Sequence, residues 1–234
     1  MQLPWLEKND PFPPATQAFS HPNGLLAAGA DLSPARLLDA YQHGIYPWYS
    51  EGEPILWWSP TPRCVLYPAQ FKCSRSLGKR DRSGAFHVTS NTAFTEVIDA
   101  CGNTRDDTWI TEAMREAYYR LHQLGWAHSV EVWQHGQLVG GLYGLAIGKL
   151  FFGESMFSRV TDASKIAALH LSRALAELDF HMIDCQMETE HLLSLGAVCI
   201  ERETFEKALC YTTPAIPLAA DTLATYLRQT CAKK

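Results

Sequence analysis

The stretch Gly140–Arg159, GGLYGLAIGKLFFGESMFSR, constrains the fold more than any other part of the chain. Two apolar runs, Leu142–Ile147 and Leu150–Phe152, are separated by Gly148-Lys149 alone. A two-residue link with glycine where the backbone takes positive φ predicts a β-hairpin. The second run continues into Gly153-Glu154-Ser155-Met156-Phe157. A carboxylate among phenylalanines and a methionine is costly to bury without hydrogen-bond donors. Glu154 therefore reads either as a paired structural acid near a strand end or as part of a ligand site.

Strands and helices alternate around this hairpin. Cys64–Tyr67, Phe86–Thr89 and Ser129–Trp133 read as strands, the last reaching the hairpin through a His135-Gly136 turn, so three consecutive strands make an antiparallel meander. Asn91 is placed to cap a helix with Phe94, Val97, Ile98 and Cys101 on one face, closed by Gly102. A second helix runs from about Thr111 to Leu124, with Met114, Ala117, Tyr118 and Leu121 on one face, and stops at Gly125. Asp162 or Ser164 opens a helix to about Leu178, and His181–Met187 comes next as a strand. That strand, helix, strand unit should be parallel and right-handed, which makes the sheet mixed. A short helix near His191, a strand at Val198–Glu201 and a last helix capped by Asp221 complete the chain.

The first sixty residues are rich in proline, glycine and tryptophan and hold one predicted helix. Ser33 caps it, Pro34 takes its first position, Leu37, Leu38 and Tyr41 form its apolar stripe, and Gly44 closes it. This region is too short for a core of its own. A boundary near Pro60 to Pro62 divides a small domain, 1–62, from a larger one, 63–234. The fold class is α+β, with the small domain packed on a mixed sheet flanked by helices.

Composition removes several functions. Twenty basic against twenty-five acidic residues give a net charge of −5, so any polyanion must be held by a local patch. Seven cysteines without a Cys-x-x-Cys pair or regular spacing argue against a disulfide framework and against a zinc site. No segment has the apolar length of a signal peptide or membrane span, and the expectation is a soluble, cytoplasmic protein without metal. No Walker loop, nucleophile elbow, His-Glu-x-x-His or dinucleotide glycine motif is present.

Several side chains nonetheless ask for a chemical reading. Lys72, Arg75, Lys79, Arg80 and Arg82 make the one dense basic run; on a helix Arg75, Lys79 and Arg82 share a face, and the run reads as a solvated surface or a phosphate grip. Trp48, Trp57, Trp58 and Trp109 lie in aromatic loops, where core packing competes with base stacking. On the strand His181–Met187, alternation puts Asp184 and Gln186 on one side and Cys185 on the other. The polar pair reads equally as a buried hydrogen bond or as catalytic groups. Cys185 lacks a visible base and reads as structural, and His191 reads as a cap or core histidine.

The meander followed by strand, helix and strand resembles the N-acyltransferases of the acetyltransferase-like superfamily. Their coenzyme A loop, Arg/Gln-x-x-Gly-x-Gly/Ala, corresponds here to Ser158-Arg159-Val160-Thr161-Asp162-Ala163-Ser164, which has no glycine and gains an acid. The frame is shared and the cofactor loop is not.

More specifically, the chain resembles the bacterial leucyl/phenylalanyl-tRNA–protein transferases over roughly Pro22 to Gly196. The strings that carry this are Pro22-Asn23-Gly24-Leu25-Leu26, Tyr41-Gln42-His43-Gly44-Ile45-Tyr46-Pro47-Trp48, Trp57-Trp58-Ser59-Pro60, Thr108-Trp109-Ile110-Thr111, Gly153-Glu154-Ser155-Met156-Phe157-Ser158 and Ile183-Asp184-Cys185-Gln186. The resemblance implies transfer of leucine or phenylalanine, and more weakly methionine, from aminoacyl-tRNA to proteins with N-terminal arginine or lysine, marking them for degradation. It implies that Trp48 and Trp109 sandwich the terminal adenosine and that Arg75, Lys79, Arg80 and Arg82 hold the acceptor stem. Leu142, Phe151, Met156 and Leu171 are the candidates for an apolar pocket that takes side chains unbranched at Cβ. Glu154, Asp184 and Gln186 match the family's polar active-site residues, with Asp184 expected to contact the incoming amine. No cofactor and no covalent intermediate are expected, and a monomer is the default. A coenzyme A-dependent acyltransferase and a non-catalytic RNA-binding module stay open as rivals.

Overall fold

The computed structural model describes residues 2–103 and 109–232; Thr108 of the predicted motif lies outside them. Near the N-terminus, β1 (Trp5–Leu6), β2 (Leu25–Gly29), β3 (Tyr46–Pro47) and β4 (Leu56–Trp58) form a small sheet in the order β1-β2-β4-β3. Helix α1 (Pro34–Gln42) joins β2 to β3, capped by Ser33, whose side chain accepts from the Arg36 N–H at 3.4 Å. The helix is where its local signals put it. The small sheet was not foreseen, because its strands are two to five residues long and lack alternation.

Seven strands build the main sheet: β5 (Arg63–Leu66), β6 (His87–Ser90), β7 (Ala127–Gln134), β8 (Gln137–Ile147), β9 (Leu150–Ser158), β10 (Met182–Gln186) and β11 (Val198–Ile200). Their order is β11-β5-β10-β9-β8-β7-β6. The predicted meander is β7-β8-β9, turned at Gly148-Lys149, with Gly148 at φ +57°. β10 pairs parallel with β9 and antiparallel with β5, so the sheet is mixed as expected. The helices are α2 (Arg75–Arg82), α3 (Phe94–Gly102), α4 (Glu112–Gln123), α5 (Ala163–Glu177), α6 (Glu190–Ser194), α7 (Arg202–Ala208) and α8 (Ala220–Ala232).

Each face of the main sheet carries a core. Leu150 and Phe152 face α1, α3 and α4 together with the N-terminal sheet, while Phe151 faces α5 and α8. The N-terminal residues Leu26, Tyr41 and Trp57 belong to the first of these cores, which explains how so short a region is held.

Two local expectations, at Asn91 and Asp221, are corrected. Asn91 does not cap α3: it sits at φ +57°, and its side chain accepts from the Ser129 N–H at 3.0 Å and donates to the Ala220 carbonyl at 3.0 Å. It pins β6 to β7 and α8 instead. Asp162 does open α5, as one of the two expected starts, in the left-handed conformation and with no capping bond from its side chain. Asp221 lies inside the first turn of α8 rather than at its cap, where its charge still suits the helix dipole.

Candidate active site

β9 and β10 run side by side only as far as the Phe152–Asp184 partners. Beyond that point each strand departs from regular geometry. Tyr143 faces Ser155 and Gly144 faces Gly153 across the hairpin, so Glu154 is the extra residue of a β-bulge. On the other strand the register shifts between Asp184 and Gln186, and Gln186 takes φ +63°. The two irregularities face one cavity of about 580 Å³.

The bulge at Gln186 overturns simple alternation. Cys185 and Gln186 both line the cavity, whereas Asp184 is absent from its wall and is wholly buried. The expectation that Asp184 and Gln186 share a side, and that Asp184 contacts the incoming amine, fails on access. Asp184 instead receives Arg63 through two bonds, Nε at 2.8 Å and Nη2 at 2.7 Å, and accepts the Gln186 N–H at 2.9 Å. Arg63 is itself 1 % exposed and packed between the rings of Tyr46 and Phe205, 4.9 and 4.6 Å from its guanidinium carbon. Such a pair holds geometry: two charges and two rings fix the backbone from which Gln186 projects.

Glu154 has a different setting. Tyr41 from α1 donates to its Oε1 at 2.7 Å, Tyr118 from α4 donates to its Oε2 at 2.8 Å, and the Gln186 amide nitrogen donates to Oε1 at 3.0 Å. The two tyrosine oxygens also touch; since each phenol has one proton, one can turn to the other only when Glu154 itself carries a proton. Burial pushes the carboxyl up to about 7 against the lowering pull of the tyrosines, with nearby Asp184 adding to the rise. An ionised Glu154 only accepts, so it turns the NH₂ of Gln186 toward itself and leaves the amide oxygen as the free acceptor of that side chain.

The remaining wall is apolar. Leu142, Phe151 and Met156 from the hairpin and Leu171 from α5 line it, and so do Trp48 and Trp109. The four expected pocket residues and the two tryptophans expected to hold the terminal adenosine therefore line one cavity with Glu154 and Gln186. Trp48 is braced edge-on by Trp58, 5.5 Å between ring centres, while Trp57 is fully buried and belongs to the core. Contact with the Cys64 thiol, then burial, pushes Cys185 well above the usual thiol range, so the cavity wall presents a thiol and not a thiolate nucleophile.

Sequence reasoning missed three contributors. Arg63, Tyr41 and Tyr118 lie far along the chain from the acids they hold, and nothing in their local sequence signals the contact. His191 also lines the cavity; burial and then Lys165 lower its pKa, leaving a neutral imidazole at pH 7. The basic run forms α2 with Arg75, Lys79 and Arg82 exposed, while Arg80 is partly covered beside Asp162 at 3.7 Å. Among the described residues no group of His, Cys, Asp and Glu is arranged to hold a metal, and no helix is long and apolar enough to cross a membrane.

The strands part around an apolar cavity with a fixed amide at its polar end, a place where an apolar group can lie beside a hydrogen-bonding one. The class is that of an α+β protein whose mixed sheet opens on an apolar cavity with a fixed amide at its polar end. Comparison narrows it. Residues 65–210 match the family model of leucyl/phenylalanyl-tRNA protein transferase, and residues 30–61 match that of its N-terminal domain. The leucyl/phenylalanyl-tRNA–protein transferase of Stutzerimonas stutzeri is 58% identical over 223 residues, covering 94% of this chain and 98% of the relative. That of Azoarcus sp. is 58% identical over 206 residues, covering 87% and 88%. This chain belongs to the leucyl/phenylalanyl-tRNA–protein transferase family, aminoacyltransferases that move an amino acid from tRNA to protein. Among solved structures, a GCN5-related N-acetyltransferase from Kribbella flavida aligns with a TM-score of 0.38 and 11% identity, covering 71% of this chain and 60% of that one, a likeness too slight to carry an argument.

Proposed function

We propose that this enzyme transfers leucine or phenylalanine, and more weakly methionine, from its tRNA to the α-amino group of cytoplasmic proteins that begin with arginine or lysine, marking them for degradation. The observation that carries the reading is the Gln186 amide, oriented from one side by Glu154 and anchored through its backbone by Asp184, at the polar end of an apolar cavity. The aminoacyl side chain would lie against Leu142, Phe151, Met156 and Leu171, and chains branched at Cβ would crowd the wall. Trp48 and Trp109 would stack the terminal adenine, at about 1–3 kcal/mol per stacked base. Arg75, Lys79 and Arg82, with Arg80 beside them, would hold the acceptor stem. On this reading residues 1–62 form a small domain that supplies Tyr41 and Trp48, residues 63–234 form the transfer domain, and the enzyme works as a monomer without cofactor.

The chemistry asks little beyond placement. An aminoacyl ester is already activated, and an α-amino group with a pKa near 7.7–8.0 is partly neutral at physiological pH. The amine nitrogen attacks the ester carbonyl, the bond to the ribose oxygen breaks, and the amine proton ends on that oxygen, with the neighbouring ribose hydroxyl as a carrier. Gln186 Oε1 accepts a hydrogen bond from the amine and aims its lone pair; Asp184 and Arg63 act through Gln186. No covalent enzyme intermediate is needed. Orientation of this kind is worth roughly 7–11 kcal/mol.

The test is transfer of labelled leucine from Leu-tRNA to two peptides differing only in N-terminal arginine or alanine, with acetyl-coenzyme A supplied in parallel. Label on the arginine peptide alone is expected. Label from acetyl-coenzyme A would move the enzyme to the general acyltransferases, and equal labelling of both peptides would remove the acceptor rule.

A further inference from the structure

Asp81 interrupts the basic helix α2 between Arg80 and Arg82, and it does not face the same way. It is 3 % exposed, in a helix whose Arg75, Lys79 and Arg82 are in solvent. His170 Nε2 lies 2.8 Å from its Oδ1 and Arg173 Nη1 lies 2.9 Å from its Oδ2, both from α5. His170 is 1 % exposed, and its Nδ1 has no hydrogen-bond partner among the described residues. An imidazole in that position donates from Nε2 to the carboxylate and holds one tautomer. Burying such a cluster costs desolvation that an apolar contact would avoid, so its gain is directional.

α5 is also the helix that lines the cavity. Ser164, Ala168, Leu171 and Ser172 all face it, and Leu171 is the residue next to His170. A second polar link, Arg80 to Asp162 at 3.7 Å, joins α2 to the start of the same helix. The two links are separated by eight residues, about 12 Å along α5 at 1.5 Å per residue. On α2 both links leave from neighbouring residues, Arg80 and Asp81, so together they hold the C-terminal end of α2 at one place against the cavity wall. A single apolar contact through Leu77 would leave the helix free to rock.

We propose that Asp81, held by His170 and Arg173, is a positioning residue that sets the distance between the stem-binding face of α2 and the aminoacyl pocket. A donor with a stem is then placed twice, by its phosphates on α2 and by its ester in the cavity, and the clamp makes the two placements agree. The proposal rests on the reading of α2 as the acceptor-stem contact. An error of about 1 Å in such placement can cost a hundredfold in rate.

The experiment compares two donors, full Leu-tRNA and the stemless 3′-leucyl-adenosine, on the full-length enzyme. Asp81→Asn should lower kcat/KM with Leu-tRNA about tenfold, chiefly in kcat, and change it less than twofold with leucyl-adenosine. His170→Gln, which keeps a side-chain N–H donor, should restore most of the rate that His170→Leu loses. Equal losses with both donors would make the cluster a support of the cavity and overturn the proposal, as would an unchanged rate with Leu-tRNA. A fall in folded population would lower both donors alike, and circular dichroism melts identify it; the His170 pair then decides the outcome in the folded protein. Arg75→Gln with Lys79→Gln, run alongside, tests the underlying reading. If that double variant does not separate the two donors, α2 is not the stem contact; if it does and the Asp81 and His170 variants do not, only the clamp fails.

Discussion

Asp184 and Glu154 are joined through one residue, Gln186, whose backbone N–H reaches the first and whose side-chain amide reaches the second, and they occupy opposite kinds of surroundings. Asp184 meets a full cation: Arg63 grips both of its oxygens, and the pair is sealed from water. Glu154 meets three donors, two phenols and an amide, none of them charged. A carboxylate gripped on both oxygens by a buried guanidinium serves as an anchor. One surrounded by neutral donors sits close to its titration point, and burial pushes this one up to about 7. The acid paired with Arg63 lies behind the cavity, and Glu154, whose carboxyl is pushed up to about 7, lies on its wall.

The largest effect should come from breaking the anchor. Arg63→Ala leaves a buried charge without its partner and should destabilise the fold by about 3–5 kcal/mol in urea unfolding. The double change Arg63→Met with Asp184→Leu should recover most of that stability without recovering transfer; recovery of transfer would show that the ion pair only fills space. Next comes the titration of Glu154. Its carboxyl is at about 7 in the folded chain against an ordinary value of 4.5, so between those pH values the folded protein keeps a proton that the unfolded chain releases. Stability is full below about pH 4.5 and falls as pH rises toward 7, by on the order of 3 kcal/mol. Glu154→Gln should lack this fall, measured as unfolding free energy at pH 5 and pH 8; parallel changes in variant and parent would assign the titration elsewhere.

Asp184→Asn should cut turnover about a hundredfold while leaving tRNA affinity nearly intact, since it loosens Gln186 and not the stem contacts. Unaltered turnover would remove this acid from the mechanism. The smallest effect belongs to the phenols. Tyr118→Phe removes one donor to Glu154, costing about 1 kcal/mol and moving the stability transition of the previous experiment upward in pH. A downward movement would mean that the phenol does not stabilise the ionised form.

Elements with a local signature were legible in the sequence. The hairpin was signalled by Gly148-Lys149, α1 by Ser33 and Pro34, and α4 by Thr111, whose side chain accepts the Met114 N–H at 3.2 Å. The resemblance named Leu142, Phe151, Met156 and Leu171 together with Trp48 and Trp109, and these six line one cavity. What escaped were contacts made across the fold. Tyr41 is 113 residues from Glu154 and Arg63 is 121 residues from Asp184, and no periodicity encodes such pairings. Alternation failed at Gln186 for a related reason: the period-two rule assumes a regular strand, and a bulge is set by the partner strand. Asn91 failed in the same manner, since its side chain is taken up by β7 and α8 rather than by the helix that begins three residues later.

The bulge at Glu154 also divides β9 into two reading frames. Leu150–Gly153 are counted from the Gly148-Lys149 turn, and Ser155–Ser158 are counted from the far end of β8, where Gly140 faces Ser158. One residue belongs to neither count, and it is the acid on the cavity wall. A deletion at 154 would merge the frames and restore an unbroken ladder at the expense of the acid, whereas an insertion on either side would displace one half of the strand and leave the other in place. The two halves are thus free to accumulate changes separately, one under the demands of the turn and the core, the other under those of the cavity wall.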